Sequence, residues 1–209
     1  MSAPEIELRR TWRRVAGPHH DHVVDGLLQR HREPHRQYHT ATHVMWVCRH
    51  VIELALNHPV PDIQAVLAAA LFHDAVYQPA SSTNEADSAA LAVRHLRDLH
   101  WVDDRVTVVD ALIMATADHQ PAGIDQEVLL DADLAILGEQ AGQYQAYVIG
   151  VRAEYAHVDD DAWRVGRSRV LRHFLDRPNI YCTATMRQAR QHRARANLAA
   201  ELAALQADR

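Results

Sequence analysis

At 209 residues the chain is long enough for one generous domain with a buried core, or two small ones. Its 48% apolar content and only 7 glycines suit a compact helical protein and exclude a fibrous or disordered one. The net charge of -5 gives no general attraction to nucleic acid or an anionic membrane, and every one of the 22 basic residues is arginine, which excludes P-loop, Schiff-base and general-base lysines.

The opening "MSAPEIELRRTWRR" has no apolar h-region, so it does not read as a signal peptide. Leu8, Trp12 and Val15 start one helix; Val23, Val24, Leu27 and Leu28 mark a second, ending before "REPHRQ", where Pro34 biases Glu33 out of helical conformation. A longer helix is predicted over 38–56 and broken by the two prolines of "NHPVPD". Asp62 is the expected N-cap of a helix running to Tyr77 and closed by Pro79. Ser82 and Glu85 stand in capping-box spacing before a helix to about Leu99, and Asp103 is placed to cap the next one, over "DDRVTVVDALIMATADH". Gln126 to Leu137 reads as a helix with Gly138 as its stop, and three more fit 140–157, 160–176 and 183–206. No window alternates with period two. The expectation is an all-α single domain of eight to ten helices over 1–209, with a core at about 36–140 and the helices of 141–209 packed on it.

Two cysteines, Cys48 and Cys182, are too few for a disulfide framework or a Cys-rich zinc site. No apolar run approaches the ~20 residues that span a bilayer, so a soluble cytoplasmic protein is expected. The last helix, rich in arginine, reads as a packing helix with a solvated face, and no long nucleic acid is expected as a partner.

Sixteen histidines are unusual, and position must separate the few that carry chemistry. His39 and His43 in "YHTATH" are four apart, which would stack both on one helix face toward a metal. His73 and Asp74 end the apolar run "LAAALFHDAVYQP". Burying either without a partner costs roughly 2–7 kcal/mol, and far more for an ionised carboxylate. Lying about 100° apart around a helix, they cannot share one packing seam, yet both can reach an ion beside it. In "LLDADLAIL", Asp133 has Leu130, Leu134 and Leu137 at helical neighbour spacing and is read as inward; Asp131 is read as outward or supporting.

His43, the doublet His73–Asp74 and Asp133, in that order, resemble the signature of the HD superfamily of metal-dependent phosphohydrolases. The likeness is closer to a subfamily described as predicted metal-dependent HD-superfamily phosphohydrolases. It extends over "REPHRQYHTATHV", "AALFHDAVYQP", "NEADSA", "MATADHQ", "LLDADLAILG" and "GRSRVLRHFLDRPNIYCT", about residues 32 to 183. The resemblance implies an HD-like helical bundle holding one divalent ion on His43, His73, Asp74 and Asp133, and hydrolysis of a phosphate ester or anhydride of a small molecule, a nucleotide foremost. Such a mixed N/O donor set suits Mn, Fe, Co, Ni or Zn, with the ion lowering the pKa of a water nucleophile.

Around this set, Glu85 is a candidate general acid or base and His119 a candidate proton donor, phosphate contact or ligand of a second metal. Arg36 is the leading phosphate clamp and Arg167 a weaker one, because guanidinium forks match phosphate oxygens. Tyr38, His39 and Asn84 complete the substrate-binding candidates, and a homodimer is compatible with the chain. Two other functions are open: an HD-fold di-iron oxygenase, which needs at least two further ligands, and a non-catalytic module that senses nucleotide or binds a partner.

Overall fold

The computed structural model describes residues 2–207. Among them are ten α-helices and no strand: α1 (Ala3–Ala16), α2 (Asp21–Arg30), α3 (Ala41–Ala55), α4 (Ile63–Phe72), α5 (Asn84–Asp98), α6 (Asp103–Met114), α7 (Ile124–Asp133), α8 (Ala141–Glu154), α9 (Asp160–Leu175) and α10 (Ala184–Ala207). A 3₁₀ turn, Leu134–Gly138, follows α7 directly. The all-α expectation therefore holds. No described helix is long and apolar enough to cross a membrane.

Helix α4 is the axle of the bundle. All of Ala65–Phe72 is buried, and α1, α3, α5, α6 and α7 pack around it. Its small residues allow that close approach on every side, while Trp12 of α1 meets Phe72 edge-on with ring centroids 6.0 Å apart. One continuous apolar cluster extends from Leu8 in α1 to Leu198 in α10, so the C-terminal helices share the core. The β-branched segment after Val102 is helical as expected, its Val106, Val109 and Ile113 being buried.

Several boundaries differ from the expectations, and at α3 and α4 a distant residue supplies a bond the local pattern does not reveal. Helix α3 starts at Ala41 and not at Tyr38, with Thr40 as N-cap. Here the Glu154 carboxylate of α8 accepts the backbone N–H groups of Gln37, Tyr38 and His39 at 2.8, 2.8 and 2.9 Å. Helix α4 stops at Phe72 and not at Tyr77: the carbonyls of Asp74 and Ala75 accept from the Arg36 guanidinium, and Val76 is bonded through both N–H and C=O to the Ser88 hydroxyl. Asp62 caps α4 as read, accepting from Gln64 and Ala65. The Ser82–Glu85 capping box does not form; Thr83 is the N-cap of α5. Val102, not Asp103, is the N-cap of α6. Asp131 is the largest departure, since it points inward with 0% exposure and accepts from the N–H groups of Cys182 and Thr183, both at 2.7 Å, just before α10.

Candidate metal centre

Three helix ends deliver the candidate ligands. His43 lies in the first turn of α3, His73 is the C-cap of α4 with Asp74 next to it, and Asp133 is the last residue of α7. His119 follows the end of α6 with φ +55°, a left-handed conformation uncommon for a residue with a side chain. Arg177 holds it there by donating to the carbonyls of Asp118 (2.7 Å) and His119 (3.1 Å).

The side chains converge on one point. His43 Nε2 and His73 Nε2 face each other at 3.2 Å. Asp74 Oδ2 lies 3.3 Å from His43 Nε2 and 3.1 Å from His73 Nε2; Asp133 Oδ1 lies 3.2 and 3.6 Å from the same atoms. Donors bound at about 2.0–2.2 Å to a common ion, at angles of roughly 90–110°, stand about 2.8–3.6 Å apart. The spacing therefore fits ligands of a single cation. His43, His73 and Asp133 form a group whose donor atoms all lie within 4.8 Å of one another, able to hold a metal ion. Hydrogen bonding supports the same assignment, because His73 Nδ1 donates to the Ala70 carbonyl at 2.9 Å, so that in the neutral imidazole Nε2 carries the lone pair an ion would take.

Electrostatics concentrate charge here. Burial opposes ionisation of all four groups, yet the His73 and His39 charges and the hydrogen bonds from His43 and His73 hold Asp74 well below the usual carboxylate range. Asp133 is held down likewise, by hydrogen bonds from His119, His43 and His73. Against their own burial, both imidazoles are pushed up by the two carboxylates. Two acids and two imidazoles packed this closely attract a positive charge, a proton or a metal ion. His119 Nε2 sits 3.3 Å from Asp133 Oδ2, so Asp133 offers one oxygen to the ligand set and the other to His119.

The remaining candidates separate. Tyr38 stays at the site, its ring 4.9 Å from that of His43. His39 lies outside α3 and does not share a helix face with His43; its Nδ1 donates to Glu154 Oε2 at 2.6 Å. Arg36 is no free clamp: its side chain is 0% exposed and donates to Glu33 and to the carbonyls of His39, Asp74 and Ala75. Arg167 is likewise committed, to Glu201 at 2.7 and 3.1 Å and to the Tyr147 hydroxyl at 3.1 Å. Asn84 closes a pair of hydrogen bonds on the backbone of Gln78 (2.9 and 3.0 Å). Glu85, half-buried in the first turn of α5, makes no hydrogen bond or ion pair with a described residue.

Glu154 is the organising residue that pattern reading passed over. Besides three backbone N–H groups and His39, it accepts from the Tyr77 hydroxyl at 2.9 Å, at 3% exposure. Burial raises its pKa, but the His39 contacts and the N–H groups outweigh that and hold it down at about 2. Its signal lay in helical spacing, since Val151 and Tyr147 precede it by three and seven residues on the buried side of α8. His31, buried behind Arg36 and pushed down to about 3 by burial and the Arg36 charge, was likewise missed.

A cleft of 390 Å³ opens on His43 and Asp133, walled by Tyr38, Trp46, Ile136 and Tyr147. Compared with known protein families, with curated proteins and with solved structures, the chain matches none.

Proposed function

We propose that the chain is a metal-dependent phosphohydrolase that cleaves a phosphate ester or anhydride of a small molecule, a nucleotide foremost, in the cytoplasm. The convergence of His43, His73, Asp74 and Asp133 at single-ion spacing beside a cleft of ligand size carries the reading. Two free cysteines suit a reducing compartment. A divalent ion such as Mn, Fe, Co, Ni or Zn would supply Lewis acidity and a lowered water pKa. The protein's own part is to orient the ligands, hold the phosphoryl group beside them and move protons. In this reading water attacks phosphorus and the bond from phosphorus to the leaving oxygen breaks. Glu85, in the first turn of α5, is the carboxylate this reading assigns to take the water's proton. His119 Nε2, beside Asp133 Oδ2, supplies one to the leaving oxygen.

The di-iron alternative draws less support. His39, near the cluster, is bonded to Glu154, His95 rests against Phe72 and His100 is exposed, while His119 contacts the Asp133 carboxylate. A panel of phosphorylated metabolites and nucleotides assayed across Mn, Co, Ni, Mg and Zn tests the proposal. Turnover with one substrate class is expected, lost on chelation and in Asp74→Ala. Wild-type turnover by Asp74→Ala, or by metal-free protein, would sink it.

A further inference from the structure

The walls of the cleft combine aromatic surface with an absence of fixed positive charge. Tyr38, Trp46 and Tyr147 border it together with Val47 and Ile136, and Trp46 is 45% exposed. Of its lining residues, Asp133 and Glu139 are acidic and none is arginine. In a chain whose 22 basic residues are all arginine, this absence has a structural origin. Four arginines of the surrounding elements are tied to acids. Arg36 bonds Glu33, Arg49 bonds Glu7 while covering the Trp46 ring at 4.7 Å, Arg167 bonds Glu201 behind Tyr147, and Arg190 bonds Glu139.

From this charge distribution we infer that the cleft takes a single phosphoryl group joined to a flat aromatic or heterocyclic body, such as an aryl or nucleoside monophosphate, and discriminates against polyphosphates. The inference rests on the phosphohydrolase reading for the position of the phosphoryl group. One phosphoryl group finds its countercharge at the cluster of His43, His73, Asp74 and Asp133 once a cation is bound there. A second and third, extending along the cleft, would meet Glu139, whose Arg190 partner is already committed to it, and no free cation among the lining residues, in a partly enclosed space where an uncompensated charge costs more than in water. The aromatic walls and a volume of 390 Å³ suit a planar ring system of nucleobase size.

The test is a binding series with non-hydrolysable probes on Mn-saturated protein, read by calorimetry. The probes are one nucleoside's 5′-phosphonate, its methylene-bridged diphosphonate and triphosphonate analogues, and methylphosphonate as the body-free control. The nucleoside phosphonate is expected to bind about tenfold or more tighter than either the bridged triphosphonate or methylphosphonate. Ile136→Arg, which places a cation on the wall, is expected to improve the triphosphonate relative to the phosphonate by about tenfold, with Ile136→Gln as the uncharged control. Should Ile136→Arg fail to fold, the wild-type series decides alone. Equal or tighter binding of the triphosphonate, equal binding of methylphosphonate, or binding of no probe would overturn the inference. The expected preference without turnover of any monophosphate would overturn the phosphohydrolase reading and leave the binding inference standing.

Discussion

Asp74 and Asp133 each lie at the end of a helix, where the last carbonyls already carry partial negative charge, so neither position favours a carboxylate unless a cation is near. Removing one donor from so tight a set should therefore act on metal affinity first. His43→Ala and Asp133→Asn are each expected to weaken Mn binding by more than about a hundredfold, measured as metal per chain after desalting; stoichiometric retention in both would count against the site. Arg36 acts through the backbone, since its fork fastens the carbonyls of Asp74 and Ala75 and so fixes where the Asp74 side chain begins. Lysine keeps the charge but cannot span those acceptors together. Arg36→Lys should lower metal affinity by about tenfold while leaving the helical circular dichroism unchanged.

Two elements depend on single polar or steric contacts made at long range. Helix α10 begins where Asp131, buried in α7, receives the N–H groups of Cys182 and Thr183, joining two elements about fifty residues apart in the chain. Asp131→Ala leaves the buried Thr183 N–H and the half-buried Cys182 N–H without their acceptor and should cost about 3 kcal/mol in urea unfolding. A loss under about 0.5 kcal/mol would show that the bonds carry little stability. Gly138, ending the 3₁₀ turn, allows α10 to approach so closely that an added Cβ would lie 2.6 Å from Arg190 Cβ and 2.7 Å from the Tyr181 hydroxyl. Gly138→Ala is expected to destabilise by about 2 kcal/mol through overpacking, seen as a lower denaturation midpoint with an unchanged slope.

For the molecule as a whole, Glu154 couples α8 to the segment that leads into α3, and thereby to the site. Its ordinary value is 4.5 and its folded value about 2, so its contribution is fully present above about pH 4.5 and disappears as the pH falls through 2. The prediction is that Glu154→Gln loses about 3 kcal/mol at pH 7 and that the difference from the wild type shrinks steadily below pH 4.5. A constant difference from pH 7 to 2.5 would show that ionisation of this carboxylate is not the cause. Metal binding should also report globally, because the four ligands come from α3, α4 and α7. At a metal concentration a hundred times Kd the gain is about 2.7 kcal/mol, which for a chain of this size raises Tm by about 5–10 °C. The rise should vanish in Asp133→Asn.

Read alone, the sequence determined the all-helical class, most helix centres, and the four converging residues His43, His73, Asp74 and Asp133. The helices follow from apolar periodicity, and the cost of burying charge singles out His73 and Asp74; both signals are local. Grouping them with His43 and Asp133 as one ligand set came from the resemblance to the HD superfamily. Tertiary structure decided where α3 begins and α4 ends, and it tied Arg36, His39, Asn84 and Arg167 to protein partners. Several of those outcomes depend on partners far along the chain, such as Glu201 for Arg167 and Glu154 for the Gln37 N–H. No local pattern identifies such a partner, because a hydrogen bond or ion pair constrains two positions in space and leaves their separation along the chain free.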